Sequence, residues 1–227
     1  MKLNLLTYAD DLYRPMQAKL VEHAQSFHMF DHIYTRTRDG LINSEFYQEN
    51  KNILDRQKGG GYCLWKPFYI LETLARMEEN DILVYMDSAD WIINAEGFRN
   101  ETIDFMANKD IVPTAGAFIN SHYTKRDCFV YMGCDYAPYH DCIQIEAGVL
   151  IIKNTEYSRK IVAEWLKWCK VSSVITDDEN ICNLPNLDGF KEGRYDQSIL
   201  TNICIKNSIW PMDFVRKFIK CNVNMPD

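Results

Sequence analysis

Ile82-Leu83-Val84-Tyr85-Met86 is an unbroken apolar run, preceded by Asn80-Asp81 and followed at once by Asp87-Ser88-Ala89-Asp90. A run this short is more readily a strand than a helix, and its lack of alternation fits a strand covered on both faces. Such strands belong to sheets with helices on either side, so the segment directs the chain toward the α/β class. It also sets a charge problem. Asp87 stands where the buried strand gives out, and a carboxylate there is costly unless it is hydrogen-bonded, paired or metal-bound.

The rest of the chain alternates in the same manner. Apolar runs predict strands over 3–8 and 147–153, and 32–37 and 111–114 read as further extended segments. Spacings of three and four predict helices over 15–27, with Pro15 in the first turn, and over 43–57, with Asn43 or Ser44 as cap. Further helices are expected from Pro67 to about Asn80, over 98–108, over 157–170 and over 196–206. Strand–helix alternation implies a central, mainly parallel sheet flanked by helices. The 227 residues suit one domain, and the polar tail 222–227 reads as a boundary beyond which a longer protein can continue.

Composition narrows the function classes. A net charge of −7 offers no broad basic field, which argues against a general nucleic-acid binder. An acidic protein that binds a diphosphate must supply a metal ion, local basic side chains or backbone N–H groups. The eight cysteines form no CxxC pair and no zinc-like cluster, so free thiols in a reducing compartment are expected. No stretch approaches the ~18 apolar residues of a membrane span, and residues 2–8 read as a strand rather than a signal peptide. The expected location is the cytoplasm.

In open α/β sheets ligands bind beyond the carboxyl ends of the strands, which is where Asp87 falls. A hard divalent cation held by Asp87 and Asp90, its other positions open to phosphate oxygens, fits that pair. The plainer alternative is a loop-capping Asp87 and a solvated Asp90. An aspartyl-nucleophile phosphatase fits poorly, because position 89 is Ala and the motif is not near the N-terminus. Upstream, Gly59-Gly60-Gly61 precedes Lys66 and Pro67. Glycines let backbone approach a ligand, Lys66 offers a point charge, and a helix beginning at Pro67 exposes free amides. The alternative is a surface turn with a solvated lysine, and Trp65 a core anchor.

Gly61-Tyr62-Cys63-Leu64-Trp65-Lys66-Pro67 followed by Asp81-Ile82-Leu83-Val84-Tyr85-Met86-Asp87-Ser88 resembles the GYWxWKP…GDIxxYxD pattern of a GT-A glycosyltransferase group. Thr124-Lys125-Arg126-Asp127, Glu146-Ala147-Gly148-Val149-Leu150-Ile151 and Arg194-Tyr195-Asp196-Gln197-Ser198 extend the likeness over most of the chain. It is most similar to chlorella-virus members that build capsid glycans. The resemblance implies a GT-A-type Rossmann-like fold, a UDP-sugar donor such as UDP-glucose or UDP-L-rhamnose, manganese or magnesium as the ion, and a glycan or glycoprotein acceptor. Where GT-A enzymes usually carry Asp-x-Asp, this chain has Ala89, with the second acid displaced to Asp90.

The resemblance also implies roles. Thr7, Tyr8 and Asp10 would meet the nucleotide base, Tyr8 by stacking on uracil and Asp10 by accepting from its N3–H. Asp87, Ser88, Lys66, Arg194 and Gln197 would contact the rest of the donor. Lys66 and Arg194, with the metal, would offset the charge on the leaving diphosphate. An inverting transfer needs a carboxylate base, for which Asp141, Glu146 and Asp196 are the candidates. His140 is a further candidate ligand, against the ordinary alternative of a structural histidine. Two other functions stay open: a catalytically silent nucleotide-sugar or glycan-binding module, and a metal-dependent nucleotidyltransferase.

Overall fold

The computed structural model describes residues 1–221; the tail 222–227 lies outside the described residues. Its strands are β1 (Leu3–Ala9), β2 (His32–Thr37), β3 (Ile82–Met86), β4 (Trp91–Ile92), β5 (Ile111–Ile119), β6 (Ile143–Lys153) and β7 (Ile219–Lys220). Five of them form one sheet in the order β2-β1-β3-β6-β5, and β4 pairs with β7 separately. β1 runs parallel to β2 and β3, while β6 is antiparallel to both β3 and β5. Four strands therefore point one way and β6 opposes them. The sheet is mixed and mainly parallel, as expected.

Alternate side chains of the strands feed two cores. Leu6, Tyr8, Leu83 and Tyr85 face the helices Trp65–Leu74, Glu156–Cys169 and Tyr195–Lys206. Leu3, Leu5, Ile82, Val84 and Met86 face the helices Arg14–Ser26 and Phe98–Phe105 and the short turn Asp213–Lys217. Period-two alternation between two apolar faces explains why β3 reads as a continuous apolar run. The expected helix over 43–57 is broken into Glu45–Glu49 and Lys51–Leu54 at Asn50, whose side chain donates back to the Phe46 carbonyl at 2.8 Å.

β6 carries an irregularity that matters for the site. Against β3 it pairs without interruption, from Ile82↔Lys153 to Met86↔Val149. Against β5 the register jumps from Pro113↔Leu150 to Thr114↔Glu146, leaving 147–149 without partners on that side. Pro113 has no N–H to give, so a break in pairing there forfeits little. All eight cysteines are free thiols. Among the described residues no helix is long and apolar enough to cross a membrane.

Candidate active site

The carboxyl ends of β1 and β3 open into a cleft of about 410 Å³, lined by Tyr8, Asp10, Gly59, Gly60, Asp87 and Ser88, among others. That volume suits a small-molecule ligand. Gly61 closes the glycine turn with φ +98°, and a Cβ there would lie 2.6 Å from the Leu54 Cα. Only glycine fits. Trp65 donates its indole N–H to the Gly59 carbonyl at 3.1 Å and stacks on Tyr8 with ring centroids 3.8 Å apart. The turn is thereby tied to the end of β1.

Beneath the cleft lies an ion cluster. Lys66 is only 4% exposed, and its Nζ is 3.2 Å from Asp87 Oδ1 and 3.7 Å from Asp196 Oδ2. The same ammonium donates to the Ala147 carbonyl at 3.0 Å. Tyr85 donates its hydroxyl to Asp87 Oδ1. Burial alone would lower the Lys66 pKa, but the charges of Asp87 and Asp196 outweigh it and leave the ammonium firmly protonated. Burial pushes the Asp196 carboxyl up to about 6, with Lys66 opposing that rise and Asp87 adding to it. The solvated-lysine alternative does not hold. Lys66 is the buried counter-ion of two carboxylates.

The other oxygen of Asp87 lies beside Gly148 on β6. A Cβ built on Gly148 would lie 3.3 Å from Asp87 Oδ2 and 3.3 Å from Asp90 Oδ2, so the two acids converge on one spot that carries no side chain. A Mg²⁺- or Mn²⁺-type ion completed by water and phosphate oxygens suits that donor set. Asp87 and Asp90 would hold it. Among the described residues no group of three or more His, Cys, Asp or Glu is placed to hold a metal. His140 instead pairs with Asp135 at 2.9 Å.

The other expected residues scatter more widely. Asp10 and Ser88 line the cleft. Tyr8 lines it too, but one face of its ring is taken up by Trp65, which narrows the base-stacking expectation to what remains. Thr7 is fully buried within β1. Arg194 pairs with Glu192 at 2.9 Å, and its guanidinium lies over the Phe118 and Tyr123 rings. Gln197 spends its amide on protein, accepting from the Ala147 N–H at 3.3 Å and donating to Gln144 at 2.9 Å. Glu146 is half-buried and ion-paired with Arg216 at 3.0 Å. Asp141 is exposed, at the end of the short helix Ala137–His140.

Sequence reasoning gave no individual role to Tyr85, Gln144 or Gly148, the last appearing only within the Glu146-Ala147-Gly148 stretch of the resemblance. Two had readable signals: a polar Gln144 between Ile143 and Ile145, and a lone glycine inside an apolar strand, which marks a bulge or close approach.

No family model matches the sequence, and no curated protein matches it. Among solved structures the chain is similar to the bifunctional glycosyltransferase WbbM in its apo form: 10% identity, 88% of this chain, 37% of that one, TM-score 0.50. The galactosyltransferase LgtC, in complex with donor and acceptor sugar analogues, matches at 14% identity over 88% of this chain and 70% of its own, TM-score 0.44. A glycosyltransferase involved in glycosylation of the major capsid of PBCV-1 matches at 14% identity over 73% of this chain, TM-score 0.37. This chain spans 65% of that capsid enzyme's length. At these identities the likeness is one of fold: a helix-flanked mixed sheet of GT-A type.

Proposed function

We propose that this chain is a metal-dependent glycosyltransferase, moving a sugar from a UDP-sugar to a glycan or glycoprotein acceptor. The observation that carries the reading is the convergence on Gly148 of Asp87, which lines the strand-end cleft, and the buried Asp90. A cation held there, Mn²⁺ or Mg²⁺, would supply Lewis-acid stabilisation of the diphosphate as the anomeric bond breaks.

The chain's own residues account for the remaining work. Lys66 and Tyr85 grip one oxygen of Asp87, which fixes the carboxylate and leaves its other oxygen beside Gly148. Preorganised charge of this kind needs no rearrangement during the reaction. Asp10 and the free part of the Tyr8 ring supply acceptor and apolar surface for a base. In an inverting transfer the acceptor hydroxyl attacks as the diphosphate leaves, and a carboxylate takes the hydroxyl proton. Glu146 suits that role best of the three candidates, being half-buried on β6 two residues from Gly148. Asp196 is sealed beneath Lys66, and Asp141 stands on an exposed turn.

Purified protein with Mn²⁺ should release UDP from a suitable member of a UDP-sugar panel, and Asp87→Asn should lower that rate by about 100-fold or more while staying folded. A folded Asp87→Asn with undiminished turnover would remove Asp87 from the mechanism. A silent binding module is the second reading, favoured by the displaced acid at Asp90. It predicts donor binding with no UDP release across the panel.

A further inference from the structure

The bulge at 147–149 leaves backbone groups without partners on β5, yet side chains take them up. The Ala147 N–H donates to Gln197 Oε1 at 3.3 Å. The Ala147 carbonyl accepts from Lys66 Nζ at 3.0 Å. The Val149 carbonyl accepts from the Thr114 hydroxyl at 3.0 Å, while on the β3 side the Gly148 carbonyl accepts from the Asp87 N–H at 2.9 Å. Two of these partners belong to residues of the ion cluster. The bulge is therefore bonded to the site's machinery.

Gln197 has a fixed orientation within this arrangement. Its Nε2 donates to Gln144 Oε1 at 2.9 Å, so Oε1 must face Ala147. Gln144 is fully buried, and its own Nε2 lies within hydrogen-bond distance of Asn120 Oδ1, the Tyr123 carbonyl, Thr124 Oγ1 and Ser198 Oγ. A satisfied buried network of this kind holds its members in one geometry. β-Bulges beside active sites commonly re-aim the groups they carry.

We propose that Gln197 is a positioning residue: with Gln144 behind it, it pins the β6 bulge so that Gly148 presents a bare backbone to Asp87 and Asp90 and keeps the cation's place open. The proposal rests on the reading of those acids as a cation site. It gives Gln197 a task through protein backbone rather than through the donor. Loss of its amide frees the Ala147 N–H, lets the bulge relax toward ordinary β5 pairing, and shifts Gly148 against the two carboxylates.

The test measures binding of Mn²⁺ alone, with the free ion followed by electron paramagnetic resonance, together with metal-free melting. Five proteins are compared: wild type, Asp87→Asn, Gln197→Leu, Gln197→Glu and Thr201→Val. Thr201 is the control because its hydroxyl accepts from the Ile145 N–H at 3.2 Å, on the same strand but outside the bulge. Expected are loss of binding in Asp87→Asn, affinity at least about tenfold weaker in Gln197→Leu, and near-wild-type affinity in Thr201→Val. Gln197→Glu, which keeps an acceptor for Ala147, should recover part of the loss. If Asp87→Asn loses the ion while Gln197→Leu binds as wild type, or Thr201→Val weakens it equally, the positioning role is wrong and the cation site stands. If wild type and Asp87→Asn behave alike, the cation reading falls and takes this proposal with it.

Discussion

The two walls of the cleft are held by different physics. The glycine turn is tethered from outside: Lys58 and Tyr62 both reach Asp177, and Arg56 pairs with Asp178 at 3.4 Å, with the charged partners partly exposed. The floor is held from inside, by Lys66 between Asp87 and Asp196. Exposed pairs gain little, because water and salt screen them and long side chains must be ordered. A buried charge cannot lose its partner cheaply, because no water replaces it. The rim can thus adapt to a ligand at small cost, while the carboxylate that would hold a cation stays fixed.

The largest effect expected from this contrast is at Lys66. Lys66→Met leaves Asp87 and Asp196 without their shared cation, and breaking a buried pair in this way costs about 3–5 kcal/mol. In a domain of this size that lowers the melting temperature by roughly 10 °C. A drop of only a degree or two would erase the distinction between floor and rim.

A smaller effect is expected in the pH dependence of stability. The folded-state pKa of Asp196 is raised to about 6, chiefly by burial, so the native state holds this proton more tightly than the unfolded chain. Its contribution to stability is full below about pH 4 and is lost as pH rises through 6. Asp196→Asn has no such proton to lose. Measured by urea unfolding, its stability relative to wild type should rise by roughly 2 kcal/mol between pH 4 and pH 7. A flat difference would mean that Asp196 is not the buried acid described.

The smallest effect belongs to the rim. Lys58→Ala should change stability by less than about 1 kcal/mol, and the change should shrink further in 1 M salt. A loss comparable to that of Lys66→Met would show that the glycine turn is a structural pillar rather than an adaptable edge.

The parts of the fold visible in sequence were those set by local pattern. β2 and β3 have the bounds expected from sequence, and the helix Tyr195–Lys206 begins one residue from expectation. The short helices between Asn120 and His140, the pairing of β4 with β7 and the extension of β5 to Ile119 depend on tertiary contacts that no local periodicity encodes. The candidate site divides the same way. Asp10 and Asp87 were legible because each follows a strand and lines the cleft. The environment of Lys66 was not, because it is built by Asp196 and the β6 bulge, both far away in sequence. Gln197 was legible as a residue near the site but not in its bonding, which depends on a bulge that only strand register reveals.

Calorimetric titration of UDP into wild type and Asp87→Asn, each with and without Mn²⁺, addresses the central claim most directly. A cation at Asp87 joining protein to diphosphate predicts tight binding only for wild type with the metal, and weak binding in the other three arms. UDP binding of equal strength with and without Mn²⁺, or in the presence and absence of the Asp87 carboxylate, would contradict it.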